Sequence, residues 1–200
     1  MKLLSFKSTS ALALALIAGG VVATATATPV SADQTQTTTA TVGFTAGNLE
    51  FGDGTGQTVP SFDFGQQDIT AKDNTYDVVT AGALKVSDLR GTGAGWNVTV
   101  KQQAQLATAT GAELTGAVLK FNNATTSNSS NETVTFHAGD LTPGTASRVF
   151  DAQANNGNGT STLAFAGGTS DAQLHVPGAT PKKSEAYTAT LEWTLTDSPA

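Results

Sequence analysis

His137 and His175 are the side chains of this sequence best placed to move protons near neutral pH or to ligate a metal. They stand far apart at alternating strand positions, without the close ligand spacing of a metal site. A serine hydrolase would add a Gly-x-Ser-x-Gly elbow, which does not occur, and a thiol nucleophile needs a cysteine, of which there is none. Gly52-Asp53-Gly54-Thr55-Gly56 sets a carboxylate among glycines, as a calcium loop does, but lacks the spaced run of oxygen ligands and reads as a turn. Gly91, Gly93 and Gly95 imitate a phosphate loop. That chemistry needs a helix N-terminus to follow, and the next residues, Trp96-Asn97-Val98-Thr99-Val100, alternate and are β-branched, so a bulge or tight turn is expected. Paired carboxylates for glycoside hydrolysis are defined by tertiary separation, not by spacing along the chain. The expectation is a non-enzyme with no catalytic residue, no metal and no cofactor.

The aromatic residues with a conspicuous setting are Trp96 and Trp193, the only two tryptophans, each opening a Trp-x-aliphatic triplet: Trp96-Asn97-Val98 and Trp193-Thr194-Leu195. In residues 186–196, Tyr187, Ala189, Leu191, Trp193 and Leu195 alternate with Thr188, Thr190, Glu192, Thr194 and Thr196. This predicts a long closing strand with one dry and one wet face, around which the chain is organised. Two readings of the tryptophans compete. As dry-face residues they would be core, fixing the packing of facing strands; as exposed rings they would be stacking platforms for the sugars of a wall polymer. The alternation favours the core.

The elements that must position these residues read as strands. A first strand is expected from Thr41 through Val42, Phe44, Leu49 and Phe51, then a short one at Phe62 and Phe64, followed by 84–88 and 96–102. Further strands are expected at 113–122 and 132–138 around a polar loop at 123–131, and at 163–166 and 173–176. The passage 139–159 reads as irregular, with one or two helical turns at 147–154. Many short strands, turn signals every 8–15 residues and no sustained helical period predict an all-β protein, a single-domain antiparallel β-sandwich with long polar loops. Five Asn-x-Ser/Thr sequons, at Asn97, Asn123, Asn128, Asn131 and Asn158, follow from an Asn- and Thr-rich composition.

Lys2 and Lys7, the apolar run 11–17 and Val30-Ser31-Ala32 form a signal peptide, so residues 1–32 are expected to be cleaved, 33–40 to be a flexible leader and 41–200 to be the domain. Without Lys2 and Lys7 the chain carries 8 basic residues against 16 acidic, a net charge of −8. This argues against nucleic acid and anionic membrane surfaces as partners, and the short apolar run implies no membrane insertion after cleavage. With neither a cysteine for lipidation nor a sorting motif at Ser198-Pro199-Ala200, retention on a cell is expected to be non-covalent.

One resemblance runs through these motifs. The segment from Leu84 through Asp88-Leu89-Arg90-Gly91-Thr92-Gly93-Ala94-Gly95 to Trp96-Asn97-Val98-Thr99-Val100, the closing Leu191-Glu192-Trp193-Thr194-Leu195-Thr196, and Val59-Pro60-Ser61-Phe62-Asp63-Phe64-Gly65 together resemble the WxL domain, a family of Gram-positive cell-surface proteins. The likeness covers about residue 40 to the end. Its one departure is Val98 where the family name has leucine, an apolar β-former that keeps the strand. The resemblance implies a secreted cell-surface protein that binds the peptidoglycan cell wall non-covalently. Trp96, Val98, Trp193 and Leu195 are then the motif residues on which wall binding depends, and the implied protein partners are other WxL proteins and DUF916-type surface proteins. The alternative is a structural or interaction subunit of a WxL surface complex whose main ligand is a partner protein.

Overall fold

A computed structural model describes residues 35–53 and 59–199. The expected signal peptide, the first two residues of the leader and the glycines of the Gly52–Gly56 turn beyond Asp53 lie outside the described residues. The chain divides between residues 42 and 43. Residues 35–42 are exposed and belong to no strand, and all the described strands lie after the division.

Among the described residues the regular structure is entirely β. The strands are β1 (Leu49–Phe51), β2 (Asn74–Val78), β3 (Ala83–Asp88), β4 (Trp96–Gln102), β5 (Val118–Phe121), β6 (Thr125–Asn128), β7 (Thr135–Phe136), β8 (Gly139–Leu141), β9 (Ala146–Ala152), β10 (Gly159–Ala164), β11 (Thr169–Val176) and β12 (Leu191–Thr196). They form three four-stranded antiparallel sheets, ordered β1-β3-β10-β6, β2-β11-β5-β8 and β12-β4-β9-β7. The all-β expectation holds, with the strands shared among three sheets.

One core joins all three. Leu84, Val86 and Leu163 come from the first sheet, Val78, Leu119, Phe121, Leu141 and Ala172 from the second, and Trp96, Val98, Val100, Val149, Phe150 and Ala152 from the third. Period 2 explains the selection: in β4 the apolar Trp96, Val98 and Val100 fall on one face. Burying such side chains contributes roughly 1.5–3 kcal/mol each, which is how a chain without disulfides is held together. A smaller cluster, Leu114, Ala117, Leu174 and Val176, forms beside the main core with Phe64, Tyr76, Leu106 and Tyr187 packed against it.

Several sequence expectations are corrected. The closing strand is shorter than 186–196: β12 begins at Leu191, and Thr188 makes only an isolated bridge to Ala107. It is also an edge strand. Its alternation is intact, but Leu191, Trp193 and Leu195 are half-buried, because an edge strand is covered by its sheet on one side only. The first strand contracts to β1, with Val42 and Phe44 left 74% and 93% exposed, and the 62–64 strand contracts to a bridge between Asp63 and Thr80. The largest error is at 147–154, where the expected helical turns are the strand β9, with Val149, Phe150, Asp151 and Ala152 all buried. There a one-residue irregularity opposite Val98/Thr99 breaks the period-2 pattern and lets neighbours in sequence both face inward. The loop expected at 123–131 contains β6, whose polar Thr-Thr-Ser-Asn pairs with β10, and β2 carries no apolar run by which to be noticed.

Candidate functional site: paired tryptophan motifs and an aromatic groove

The two Trp-x-aliphatic triplets are brought together by strand pairing. In the β4–β12 ladder Val98 lies opposite Leu195, Val100 opposite Trp193 and Asn97 opposite Thr196, so the third residues of the triplets are direct cross-strand partners. Trp193 therefore sits four residues along the ladder from Trp96, about 13 Å at roughly 3.3 Å per residue. At that spacing the two rings do different work.

Trp96 is fully buried. Its ring meets Phe150 edge-on, with centroids 5.0 Å apart and planes at 64°, and its Nε1 donates to the Gly157 carbonyl at 3.2 Å. Gly157 has φ +82, and a Cβ there would collide with Ala152 Cβ and lie 2.5 Å from Trp96 Nε1. Only glycine lets this backbone close over the indole. Val98 is buried beside it.

The glycine run positions β4. Gly91, Gly93 and Gly95 all take positive φ, and a Cβ on Gly95 would lie 2.5 Å from the Ala152 carbonyl oxygen, so the run is a close-packed turn and its phosphate reading lapses. Arg90 holds it in place. Its Nε donates to Asp88 Oδ1 at 2.9 Å, one terminal nitrogen donates to Asp88 Oδ2 at 2.8 Å and to the Gly95 carbonyl at 2.9 Å, and its backbone N–H reaches Asp88 Oδ1 at 3.1 Å. The end of β3 is thereby clamped to the start of β4. Burial pushes the Asp88 carboxyl up, but the hydrogen bonds and charge of Arg90 outweigh this and hold it below the ordinary carboxylate value, while the Asp88 hydrogen bonds hold the guanidinium above its own.

Trp193 is half-buried and stacks on Phe121, with centroids 6.3 Å apart and planes at 14°. With Leu191 it forms part of the wall of a half-open groove of about 880 Å³ between the segments 59–69 and 182–193. The floor is the small apolar cluster: Leu114, Leu174 and Val176, with Phe64, Tyr76, Leu106 and Tyr187. Gln66, Gln67, Asp68, Ser184 and Glu185 supply hydrogen-bonding groups at its lining. The Tyr187 hydroxyl accepts the Lys183 backbone N–H at 2.8 Å within the second segment, and Lys182 Nζ donates to the carbonyls of Pro177, Thr180 and Thr70 at 3.0–3.2 Å, the last just past the end of the first segment. Leu195 points instead to a shallow channel shared with Leu49, Phe51 and Arg90.

Of the four motif residues, then, Trp96 and Val98 are core, Trp193 reaches the groove and Leu195 the channel. The burial expected of Trp193 is found in part: the ring packs against the main core but stays half-buried, because β12 has no second neighbour among the described residues. The groove aromatics Phe62, Phe64, Tyr76 and Tyr187 were not read as a site from sequence, since they come from three separated segments and show no common spacing. The histidines are not brought together: His137 Nε2 pairs with the buried Asp151 beside β9, and His175 Nδ1 meets Thr75 Oγ1 at 3.3 Å in another sheet. Asp53 of the glycine turn is bound by Lys85 at 2.7 Å. The sequon side chains Asn97, Asn128 and Asn158 are spent internally, Asn97 donating to the Ser198 carbonyl at 2.7 Å.

A family model described as WxL domain, surface cell wall-binding, matches residues 29–199, a span containing both triplets, the clamp and the groove. The chain belongs to the WxL domain family. No curated protein and no solved structure matches it. WxL domains bind the cell wall at the surface, so a wall component is the ligand against which the geometry is to be read. In this WxL domain the first motif lies within the core, and the second packs against it from the walls of the groove and the channel.

Proposed function

We propose that this WxL protein is exported, loses residues 1–32, and at the surface of a Gram-positive cell holds peptidoglycan non-covalently in the groove between 59–69 and 182–193. The observation that carries the reading is the placing of the second motif's Trp193, with Leu191 beside it on β12, on the wall of a groove of about 880 Å³, within the range of roughly 300–1,000 Å³ typical of small-ligand sites. Flat aromatic faces suit the apolar side of a pyranose, and amide and hydroxyl groups at the lining suit its hydroxyls. Charge supplies little of the attraction: Lys182 and Lys183 line the groove beside Asp63, Asp68 and Glu185, and Lys182 is committed to three carbonyls. The protein acts by binding, without a catalytic step.

The test is capture of the mature chain by purified, protein-free peptidoglycan. The parent binds; Trp193→Ala stays folded, melting some degrees below the parent, and loses most of the capture. Failure of the parent to bind sinks direct wall recognition. It would favour the second reading, a subunit whose main ligand is another WxL or a DUF916-type protein, for which the supporting observation is the edge of β12 that is unpaired among the described residues.

A further inference from the structure

The phase of the β4–β12 ladder decides which backbone groups of β12 are free. Gln103 N donates to the Thr190 carbonyl at 2.9 Å, and the register continues without a shift from Leu191↔Gln102 to Thr196↔Asn97. In an antiparallel pair the bonded positions alternate, so Glu192, Thr194 and Thr196 turn their N–H and C=O groups to β4. Those of Leu191, Trp193 and Leu195 face the open edge. Nothing in β12 blunts that edge: its six residues include no proline and no lysine, and its register has no bulge. Beneath it runs the channel lined by Trp193, Leu195, Leu49 and Phe51.

The same chain carries a segment, unpaired among the described residues, that fits this edge. Residues 38–45, Thr-Thr-Ala-Thr-Val-Gly-Phe-Thr, alternate Ala40, Val42 and Phe44 with Thr39, Thr41 and Thr45, and Val42 and Phe44 are 74% and 93% exposed. Six such residues span about 20 Å, the length of β12. Laid along the edge, Val42 and Phe44 continue the row of Leu191, Trp193 and Leu195 over the channel, and the threonines meet Thr194 and Thr196 on the wet face. Charge selects this strand over a second β12. Two β12 edges paired together would bring Glu192 and Asp197 of both copies into one sheet of an acidic protein, whereas residues 35–49 carry no charge at all. We propose that residues 38–45 of a second copy add as a strand to the free edge of β12, so that the protein associates with itself by strand exchange.

Sedimentation of the mature chain across about 1–300 μM tests this. The parent shifts from monomer to dimer or larger with rising concentration. Val42→Asp/Phe44→Asp, at exposed positions where folding is unaffected, weakens association at least tenfold, and a peptide of residues 35–46 in excess returns the parent to monomer. A second variant attacks the other side: Leu195→Pro removes an outward N–H while leaving the backbone hydrogen bonds to β4 in place, its folding checked by its melting curve, and mixing it with Val42→Asp/Phe44→Asp restores a heterodimer, because each supplies what the other lacks. A parent that stays monomeric throughout, or self-association indifferent to the double substitution and to the peptide, overturns the proposal. Neither result bears on peptidoglycan capture in the groove.

Discussion

Replacing each tryptophan by alanine separates the two motifs by a margin that can be worked from their surroundings. Trp96 is fully buried, packs edge-on against Phe150 and donates to the Gly157 carbonyl. Truncating a buried aromatic costs about 3–5 kcal/mol, the lost hydrogen bond included, so about 4 kcal/mol is the central expectation. Trp193 is half-buried at a sheet edge, where water fills the vacated space and no cavity is sealed; about 1–2 kcal/mol follows from the area lost. For a domain of this size each kcal/mol moves the melting temperature by about 2–4 °C. Trp96→Ala should therefore melt about 8–16 °C below the parent and Trp193→Ala about 2–8 °C below. Calorimetry gives the shifts, and peptidoglycan capture on the same samples, well below both transitions, gives binding. Capture should fall for Trp193→Ala in excess of its modest destabilisation and persist for Trp96→Ala wherever that variant remains folded. Equal shifts, or loss of capture by folded Trp96→Ala with Trp193→Ala still binding, would refute the division of labour.

Asp88→Asn should cost about 3 kcal/mol at pH 7 in urea unfolding, since it strands the largely buried Arg90 guanidinium. Because the Asp88 carboxyl is held below its ordinary value in the folded state, its contribution is complete above about pH 4 and fades as pH falls through the lower folded value. The parent should lose stability over that acid range, and Asp88→Asn should lack this part of the slope; identical slopes would count against the clamp. Gly157→Ala should cost about 2–4 kcal/mol, combining a positive φ with overpacking against Ala152 and Trp96, and a melting curve matching the parent's would show the closure over the indole to be slack. Affinity for peptidoglycan free of teichoic acid should stay nearly flat from low salt to about 0.15 M, where exposed charges more than about 8 Å apart are screened, and a steep decline would point to a charged contact.

The parts of the fold legible in the sequence were those where one face is dry and the other wet. Strand β4 was read to the residue and β3 within one, because Trp96, Val98 and Val100, and Leu84 and Val86, keep strict alternation beside a glycine turn. Strand β9 was misread since its run Val149-Phe150-Asp151-Ala152 is buried on both faces past a register irregularity, which hides the period. β6 escaped because its Thr-Thr-Ser-Asn owes its place to neighbours far along the chain, and β2 because Asn-Thr-Tyr-Asp-Val offers just two apolar positions, Tyr76 and Val78. The same non-locality hid the site. Alternation placed Trp193 on the correct face of β12, yet whether that face is covered depends on sheet order, and the groove aromatics converge only when segments 59–69 and 182–193 fold over the second sheet.

The pairing of the two motifs also sets a timetable. Asn97 meets Thr196 and the Ser198 carbonyl across about 100 residues of chain, so β4 exists long before the strand that covers one of its edges has been made. At about 5–20 residues per second of synthesis the gap is about 5–20 s. Throughout it, one side of an apolar, β-branched strand offers its N–H and C=O groups to any passing chain. Contacts so distant in sequence also close slowly once both halves are present. The nascent protein is thus at its most adhesive in the interval between its two tryptophans, and a holdase that shields extended chains would relieve the hazard over that stretch.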